Sequence, residues 1–480
     1  MSVFASIFYD FNLPNATTWF YFSLLLAIAL FFKFTRLLSV RNWDVVTVFL
    51  LVPGLLLIQE AHWLQAQRAS GIVIAGSQVV LPGASVLGAA GTLAGVSALA
   101  APSPERLLWF GFLWLLGGSV YLLLRCLMDL ALVRRPALTP NLNLSGLLWL
   151  GAALFICLTA VALRKPFVPQ GAVGKRSAAV KEIQRLPEDL LNQEIASGNT
   201  NGSTDFWVER TSAILCHLAI VTALALIGWR HFQDAHAGMA AATFYLLLPY
   251  TAYHVEQVHH VLPTALLLWA VAAYKRPCVA GVLLGLGAGT GYFPAFLFPA
   301  WLSFYWRRGA GRFAASFVLA GGLCLAAIAG ILWAEGDLAR HIHSALSLSD
   351  WQPWKLPSSE TTGFWTGIRW AWAYRMPVFV AYLAFVAWTL FWPWPKNLAH
   401  LLALSAAILI GIQFWFADQG GVYLLWYLPL FLLLVFRPNL SDREALPLDP
   451  KTEWLARLRR RIGRTGAWLL RLPEPMARVR

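Results

Sequence analysis

Charge is scarce in this chain. Only 12% of its 480 residues are charged, about half the share of an ordinary soluble domain. By contrast, 59% are hydrophobic, and the mean hydropathy is +0.61. The apolar residues are gathered into many blocks of about 20, the length that a helix needs to cross a bilayer. This composition excludes an ordinary soluble domain and predicts an all-α, polytopic transmembrane helix bundle.

Cysteine and acidic residues are also few. The five cysteines occur singly, with neither a CxxC pair nor a Cys/His pair at metal-binding spacing, which argues against a zinc site or a disulfide framework. Lysine and arginine outnumber aspartate and glutamate by 37 to 23, so the net charge is +14. Because the basic residues sit mostly at the ends of apolar blocks, the positive-inside rule explains them, and no nucleic-acid partner is predicted.

The apolar blocks and the basic turns together predict a topology. With about 11 to 13 spans, every short basic turn falls on one side of a plasma or inner membrane, with the N-terminus outside and the C-terminus cytoplasmic. These turns are 33–41, 134–135, 230, 275–276, 307–312 and 396. The block 278–306 is too long for one straight span and is interrupted by GAGTGYFP, so two short helices forming a hairpin are expected there.

The chain divides into three parts on this topology. Outside loops are expected at 165–210 and 335–375, and the Ala/Gly-rich stretch 61–104 is either an outside loop or a poor helix. The parts are 1–146, with N-terminal spans and this stretch; 147–438, the main bundle with both loops; and 439–480, a basic amphipathic tail on the inner membrane surface.

Titratable groups at membrane depth are functional candidates, because burying them there is costly. The polar stretch 253–260 includes His254, Glu256, His259 and His260. On a helix, Glu256 would share a face with His259 or His260, and such a pair can act as acid and base or hold a divalent metal. The alternative is a polar interfacial turn without function.

A second candidate group lies where the loop 165–210 re-enters the membrane. Asp205 and Glu209 stand there beside Arg210, and a carboxylate next to an arginine can be a general base or a partner at a phosphate site. A helix start with an ion pair is the alternative. The tryptophans of the loop 335–375 either stack on sugar rings or form an interfacial belt.

The order of elements from Glu209 to Arg308 resembles the GT-C superfamily of integral membrane glycosyltransferases. A helix ending in a basic turn is followed by an AGxxAA helix ending in proline, a polar turn, a helix ending in basic residues, a Gly-rich helix and a short proline-containing helix with a basic pair. In this order the six parts correspond to 210–230, 237–249, 256–260, 262–276, 280–287 and 294–308. The segment 420–438 is similar to the last helix of family members.

The resemblance implies transfer of a sugar from a polyprenyl-phosphate donor to a glycan, lipid or protein acceptor at the outer face. It suggests Asp205, Glu209 or Glu256 as the base. The donor-binding candidates are Arg210, His254, His259, His260 and Tyr292. No firm metal site is predicted, and the cofactor stays open.

Two departures from the family pattern keep an alternative open. Residues 165–174 lack an acidic residue and 289–294 lack a cation, where many family members carry them. A non-catalytic scaffold, a subunit that binds a membrane partner through the tail helix, or a transporter therefore remains open.

Overall fold

The computed structural model describes residues 16–69, 74–75, 78–79, 103–131, 138–164, 201–306, 308–334, 352–354, 362–366, 368 and 370–445. Several predicted features lie wholly or mostly outside this part of the chain. They are the Ala/Gly-rich stretch beyond residue 79, the loop 165–210 up to residue 200, most of the loop 335–375 and the basic tail beyond residue 445.

The regular secondary structure of the described residues is helical apart from one short antiparallel ladder, Ile74–Ala75 with Gln78–Val79. The helices of the first part are α1 (Ala16–Phe31), α2 (Val40–Phe49), α3 (Val52–Ala69), α4 (Pro104–Asp129) and α5 (Leu144–Arg164).

The longer second part is helical as well, which confirms the all-α prediction for the described residues. A π-helical turn, Gly228–Phe232, extends α6, and 3₁₀ turns at Phe293–Leu297 and Leu424–Trp426 precede α11 and α15. The helices are α6 (Asn201–Ile227), α7 (Ala235–Leu247), α8 (Pro249–Tyr253), α9 (Val258–Ala272), α10 (Pro277–Gly291), α11 (Phe298–Phe304), α12 (Ala310–Ala334), α13 (Ala371–Trp388), α14 (Leu398–Trp415) and α15 (Leu428–Phe436).

Seven helical segments are long and apolar enough to cross a membrane, and they indicate a membrane protein. They are Asn42–Gln65, Pro104–Asp129, Leu144–Leu163, Phe206–Phe232, Ala310–Ile331, Ala371–Trp388 and Leu398–Trp415. Shorter apolar helices of 10–17 residues accompany them. The count of about 11 to 13 spans stays a prediction.

Local sequence explains several helix boundaries. Asp234 starts α7 by accepting a hydrogen bond from the Ala237 backbone N–H at 3.0 Å, and Asn397 caps α14 in the same way. The apolar segment Asn42–Gln65 contains the end of α2 and most of α3. Pro53 lies in the first turn of α3, where its missing N–H is tolerated, whereas it would break the interior of one continuous helix.

One end of the bundle, here named the basic end, collects the turns after α6, α9 and α11. His231 Nε2 lies 2.7 Å from the Ala272 carbonyl oxygen, so the first two turns are adjacent. The Tyr305 hydroxyl donates to the Tyr274 carbonyl oxygen at 2.6 Å, which brings the end of α11 back to the start of α10. The hairpin predicted in 278–306 is therefore confirmed, with its reversal at Tyr292.

Candidate functional site

The predicted site residues gather at the end of the bundle opposite the basic end, here named the site end. Helices α6 and α7 are joined at the basic end and run antiparallel, and the pair His217 Nδ1 and Tyr245 Oη, 2.8 Å apart, fixes their register. The Trp269 indole N–H donates to the Ala219 carbonyl oxygen at 3.1 Å, which aligns α9 with α6. The start of α6, the turn between α8 and α9, and the end of α10 therefore lie at the site end.

The polar stretch forms a turn rather than a helix. Residues 254–256 are a turn, and α9 begins only at Val258, after an extended Gln257. Glu256 therefore lies outside the helix that carries His259 and His260, so the shared helical face considered for them is not formed. Instead, His254 Nδ1 lies 2.8 Å from Gln257 Oε1. Pro249 in the first turn of α8 helps to set this irregular path, since it cannot continue α7.

A column of stacked rings runs inward from this turn. The rings of His254 and His260 stack with centroids 4.1 Å apart, and His260 stacks on Tyr423 at 5.2 Å. Tyr423 in turn stacks on Trp426 at 4.3 Å, and Trp426 on Phe293 at 3.8 Å. The column joins the polar turn to the segment before α15 and to the hairpin, so it holds the turn in a defined position.

A cavity of about 390 Å³ opens beside the polar turn. Its polar lining comes from Tyr253 at the end of α8, from Glu256 and Gln257, and from Gln59 and His62 of α3. Apolar side chains form the rest of the lining, among them Trp19, Val52, Leu55, Leu56 and Val161. The cavity thus places one carboxylate and one imidazole next to an apolar wall at a helix-bundle end.

The chemistry of this cavity suits proton transfer. Burial raises the pKa of Tyr253, and the negative charge of Glu256 raises it further. Tyr253 is therefore a neutral phenol that donates a hydrogen bond at neutral pH. Glu256 is half-buried and can accept a proton from a hydroxyl group that enters the cavity.

Glu209 and Arg210 lie near the start of α6, at the same end of the bundle. Both are buried, with 4% and 2% of their surface exposed. The guanidinium carbon of Arg210 lies 5.3 Å from the centre of the Phe206 ring, a cation–π distance. Asp205 belongs to the same helix, but its side chain falls outside the described part.

Tyr292 occupies the reversal of the hairpin, also at the site end. Its φ is +59° and its ψ −45°, a backbone conformation that costs free energy for a non-glycine residue. A Cβ placed on the preceding Gly291 would lie 2.9 Å from Pro263 Cγ of α9, so the reversal packs tightly one turn below His259 and His260. The structure therefore brings Tyr292 to the same end as the histidines.

Sequence reasoning missed His62 and Gln59. Helix α3 continues past the apolar block to Ala69 and carries both side chains to the cavity. The polar residues QEAH directly after an apolar block were the available signal. Within the described residues, no group of three or more His, Cys, Asp or Glu side chains is placed to hold a metal ion.

Comparison of the chain with protein-family profiles, with curated proteins and with solved structures found no match. The fold and its apolar segments define the class, an all-helical membrane protein.

Proposed function

We propose that this protein is a membrane glycosyltransferase that moves a sugar from a polyprenyl-phosphate donor to an acceptor hydroxyl. The cavity at the site end carries this proposal, since it combines a carboxylate with an apolar wall inside a helix bundle. A lipid-linked sugar has the same two parts, a polar head and a long apolar chain. The GT-C-like order of helices adds support.

In this proposal Glu256 is the general base. Its carboxylate takes the proton of the acceptor hydroxyl as the acceptor oxygen bonds to the anomeric carbon of the sugar. The bond between that carbon and the phosphate oxygen breaks, and the lipid phosphate leaves with the bonding electrons. Arg210, buried at the same end, offers positive charge to the leaving phosphate, and His62 and the Tyr253 hydroxyl offer hydrogen-bond donors.

The proposal includes an orientation. The basic turns gather at the basic end, so the positive-inside rule assigns that end to the cytoplasmic face of a plasma or inner membrane. The site end then faces outward, where polyprenyl-linked sugars would meet their acceptors. The 11 to 13 spans and an outside N-terminus belong to the same proposal.

Native mass spectrometry of the purified chain with its co-purified lipids tests the donor. We expect a bound polyprenyl phosphate or its sugar adduct in the wild type. Transfer to an acceptor should fall about 10²-fold or more in Glu256→Gln, the usual effect of losing a general base, while donor binding is retained. Glu60→Gln is the matched control, because Glu60 directly follows Gln59 on α3 but is exposed and does not line the cavity.

The outcomes separate the candidate functions. If only bulk phospholipid is bound, and no variant at the site end changes it, the chain is better explained as a non-catalytic subunit or a transporter. If the donor binds but Glu256→Gln transfers sugar as fast as Glu60→Gln, the fold supports a transferase and the base lies elsewhere, with Glu209 and Asp205 next to be tested.

A further inference from the structure

A second, apolar groove shares no lining residue with the cavity beside Glu256. It has a volume of about 730 Å³ and runs between α2–α3 and α4. We name it the lateral groove; it extends from Trp43 and Tyr121 at one end to Leu57 and Leu107 at the other. The 15 residues from 107 to 121 correspond to about 22 Å of helix, more than the roughly 15 Å depth of one hydrocarbon leaflet.

The lining of the lateral groove is mostly apolar and therefore fits an apolar ligand. Polar groups of its lining have partners within the protein: the Trp114 indole N–H donates to the Leu50 carbonyl oxygen at 2.7 Å, and the buried Thr47 hydroxyl donates to the Trp43 carbonyl oxygen at 2.7 Å. The Tyr121 hydroxyl lies 3.5 Å from the Thr47 hydroxyl. The rings of Trp43 and Trp114 are nonetheless about half exposed, at 53% and 47%. A sugar or an ordered water would gain few hydrogen bonds here, whereas a hydrocarbon chain would cover these rings.

Charge distinguishes the two ends of the lateral groove. The segment 33–41, which enters α2 just before Trp43, contains three basic residues and no acidic one. Its apolar side chains are strongly exposed, with Leu37 at 61% and Leu38 at 85%, as in segments that lie in a membrane interface. At the other end, Glu105 and Arg106 precede Leu107 and balance each other in charge.

We propose that the lateral groove holds an acyl chain of an anionic membrane phospholipid, with its headgroup at the basic segment 33–41. The groove lies between two of the apolar spans, Asn42–Gln65 and Pro104–Asp129, and it opens to the side of the bundle, so a bilayer lipid reaches it directly. Each Lys or Arg beside an anionic headgroup increases the affinity for that lipid about fivefold. This inference does not depend on the proposed transferase.

Photo-crosslinking in vesicles tests the occupant. The full chain is reconstituted in phosphatidylcholine vesicles with a trace of phosphatidylglycerol or phosphatidylcholine whose acyl chain carries a diazirine, and labelled peptides are mapped by mass spectrometry. We expect labelling of 43–57 and 107–121 above that of the exposed face of α12, and at least about fivefold more with phosphatidylglycerol than with phosphatidylcholine.

Gly117→Leu tests the groove itself. A Cβ at Gly117 would meet nothing within 4 Å, so leucine enters the groove without a backbone clash, and groove labelling should fall to the level of α12. Gly322→Leu is the matched control, since Gly322 of α12 also faces open space but lies outside the groove. Groove labelling that survives Gly117→Leu would overturn the proposal.

The headgroup is tested separately. In the double variant Arg36→Gln/Arg41→Gln, the ratio of labelling by phosphatidylglycerol to labelling by phosphatidylcholine should fall toward one. Arg106→Gln, at the other end of the groove, should leave this ratio unchanged. Equal labelling by the two lipids in the wild type would overturn the proposal. So would a dimer of the wild type that Gly117→Leu dissociates, since a second copy would then cover the groove.

Discussion

Arg437 and Asp129 form a buried ion pair across 308 positions of sequence. The Nε and Nη2 groups of Arg437 donate to the same Asp129 carboxylate oxygen at 2.9 and 2.6 Å, and both side chains are 2% exposed or less. Arg125, one turn earlier on α4, contacts Asp129 and also Asp44 of α2. The network therefore joins the end of α15 to the N-terminal helices.

Breaking this pair should destabilise the fold strongly. Asp129→Asn removes a buried negative charge between two arginines, and we expect the free energy of unfolding to fall by about 3–5 kcal/mol. Denaturant unfolding in detergent measures the loss. Glu444→Gln is the control: its ion pair with Arg308 is about one-third exposed on both sides, so it should cost no more than about 1 kcal/mol. Equal losses would show that the buried network is not what joins these helices.

Lys396 should make stability depend on pH. Its ammonium group donates to the Ser303 hydroxyl at 2.8 Å and to the Pro393 carbonyl oxygen at 3.1 Å, and burial lowers its pKa to about 8 from 10.5. Between these two values the unfolded chain binds more protons than the folded chain. The free energy of unfolding should therefore rise with pH from about 8 to 10.5, by up to about 3 kcal/mol.

Two matched lysine-to-methionine variants test whether Lys396 causes this pH dependence. Lys396→Met should remove the rise between about pH 8 and 10.5, whereas Lys275→Met, at an exposed turn position, should retain it. Thermal unfolding at a series of pH values gives the answer. A rise of the same size in both variants would assign the pH dependence to other groups.

Features that depend on neighbouring residues could be predicted from the sequence, whereas features that depend on contacts between distant helices could not. The hairpin at 278–306 was predictable because Gly291 and Pro294 act on their own backbone. A polar turn near Glu256 was readable because the polar stretch 253–260 interrupts two apolar blocks, whereas its internal shape depends on Pro249 and on the stacking of His254 on His260. His62 reaches the cavity beside Glu256 from α3 through packing of distant helices, and no local pattern specifies which helix faces meet.

The contact of α10 with α12 depends on glycine. A Cβ on Gly285 would collide with the Phe317 carbonyl oxygen and lie 3.0 Å from the Gly321 backbone nitrogen, so the two helices touch through their backbones. Gly285→Ala should therefore lower the free energy of unfolding by about 1–3 kcal/mol. Gly322→Ala, with nothing within 4 Å of its Cβ, should be neutral or gain up to about 1 kcal/mol of helix propensity. Thermal unfolding of both variants in one detergent compares them, and similar melting temperatures would contradict the close contact.

Tyr423 stands in the middle of the ring column, between His260 and Trp426. Each stacked pair contributes about 0.5–1.5 kcal/mol beyond area burial, so Tyr423→Leu should lower the free energy of unfolding by about 1–3 kcal/mol. Tyr423→Phe keeps the ring and should lose less than the leucine variant. Because His260 stacks on His254, and His254 shares its turn with Glu256, the leucine variant should also retain less polyprenyl-phosphate donor in native mass spectrometry if the proposed function holds. Equal stability of the two variants would mean that the ring does not position the turn, whereas a stability loss with full donor retention would separate the column from the cavity.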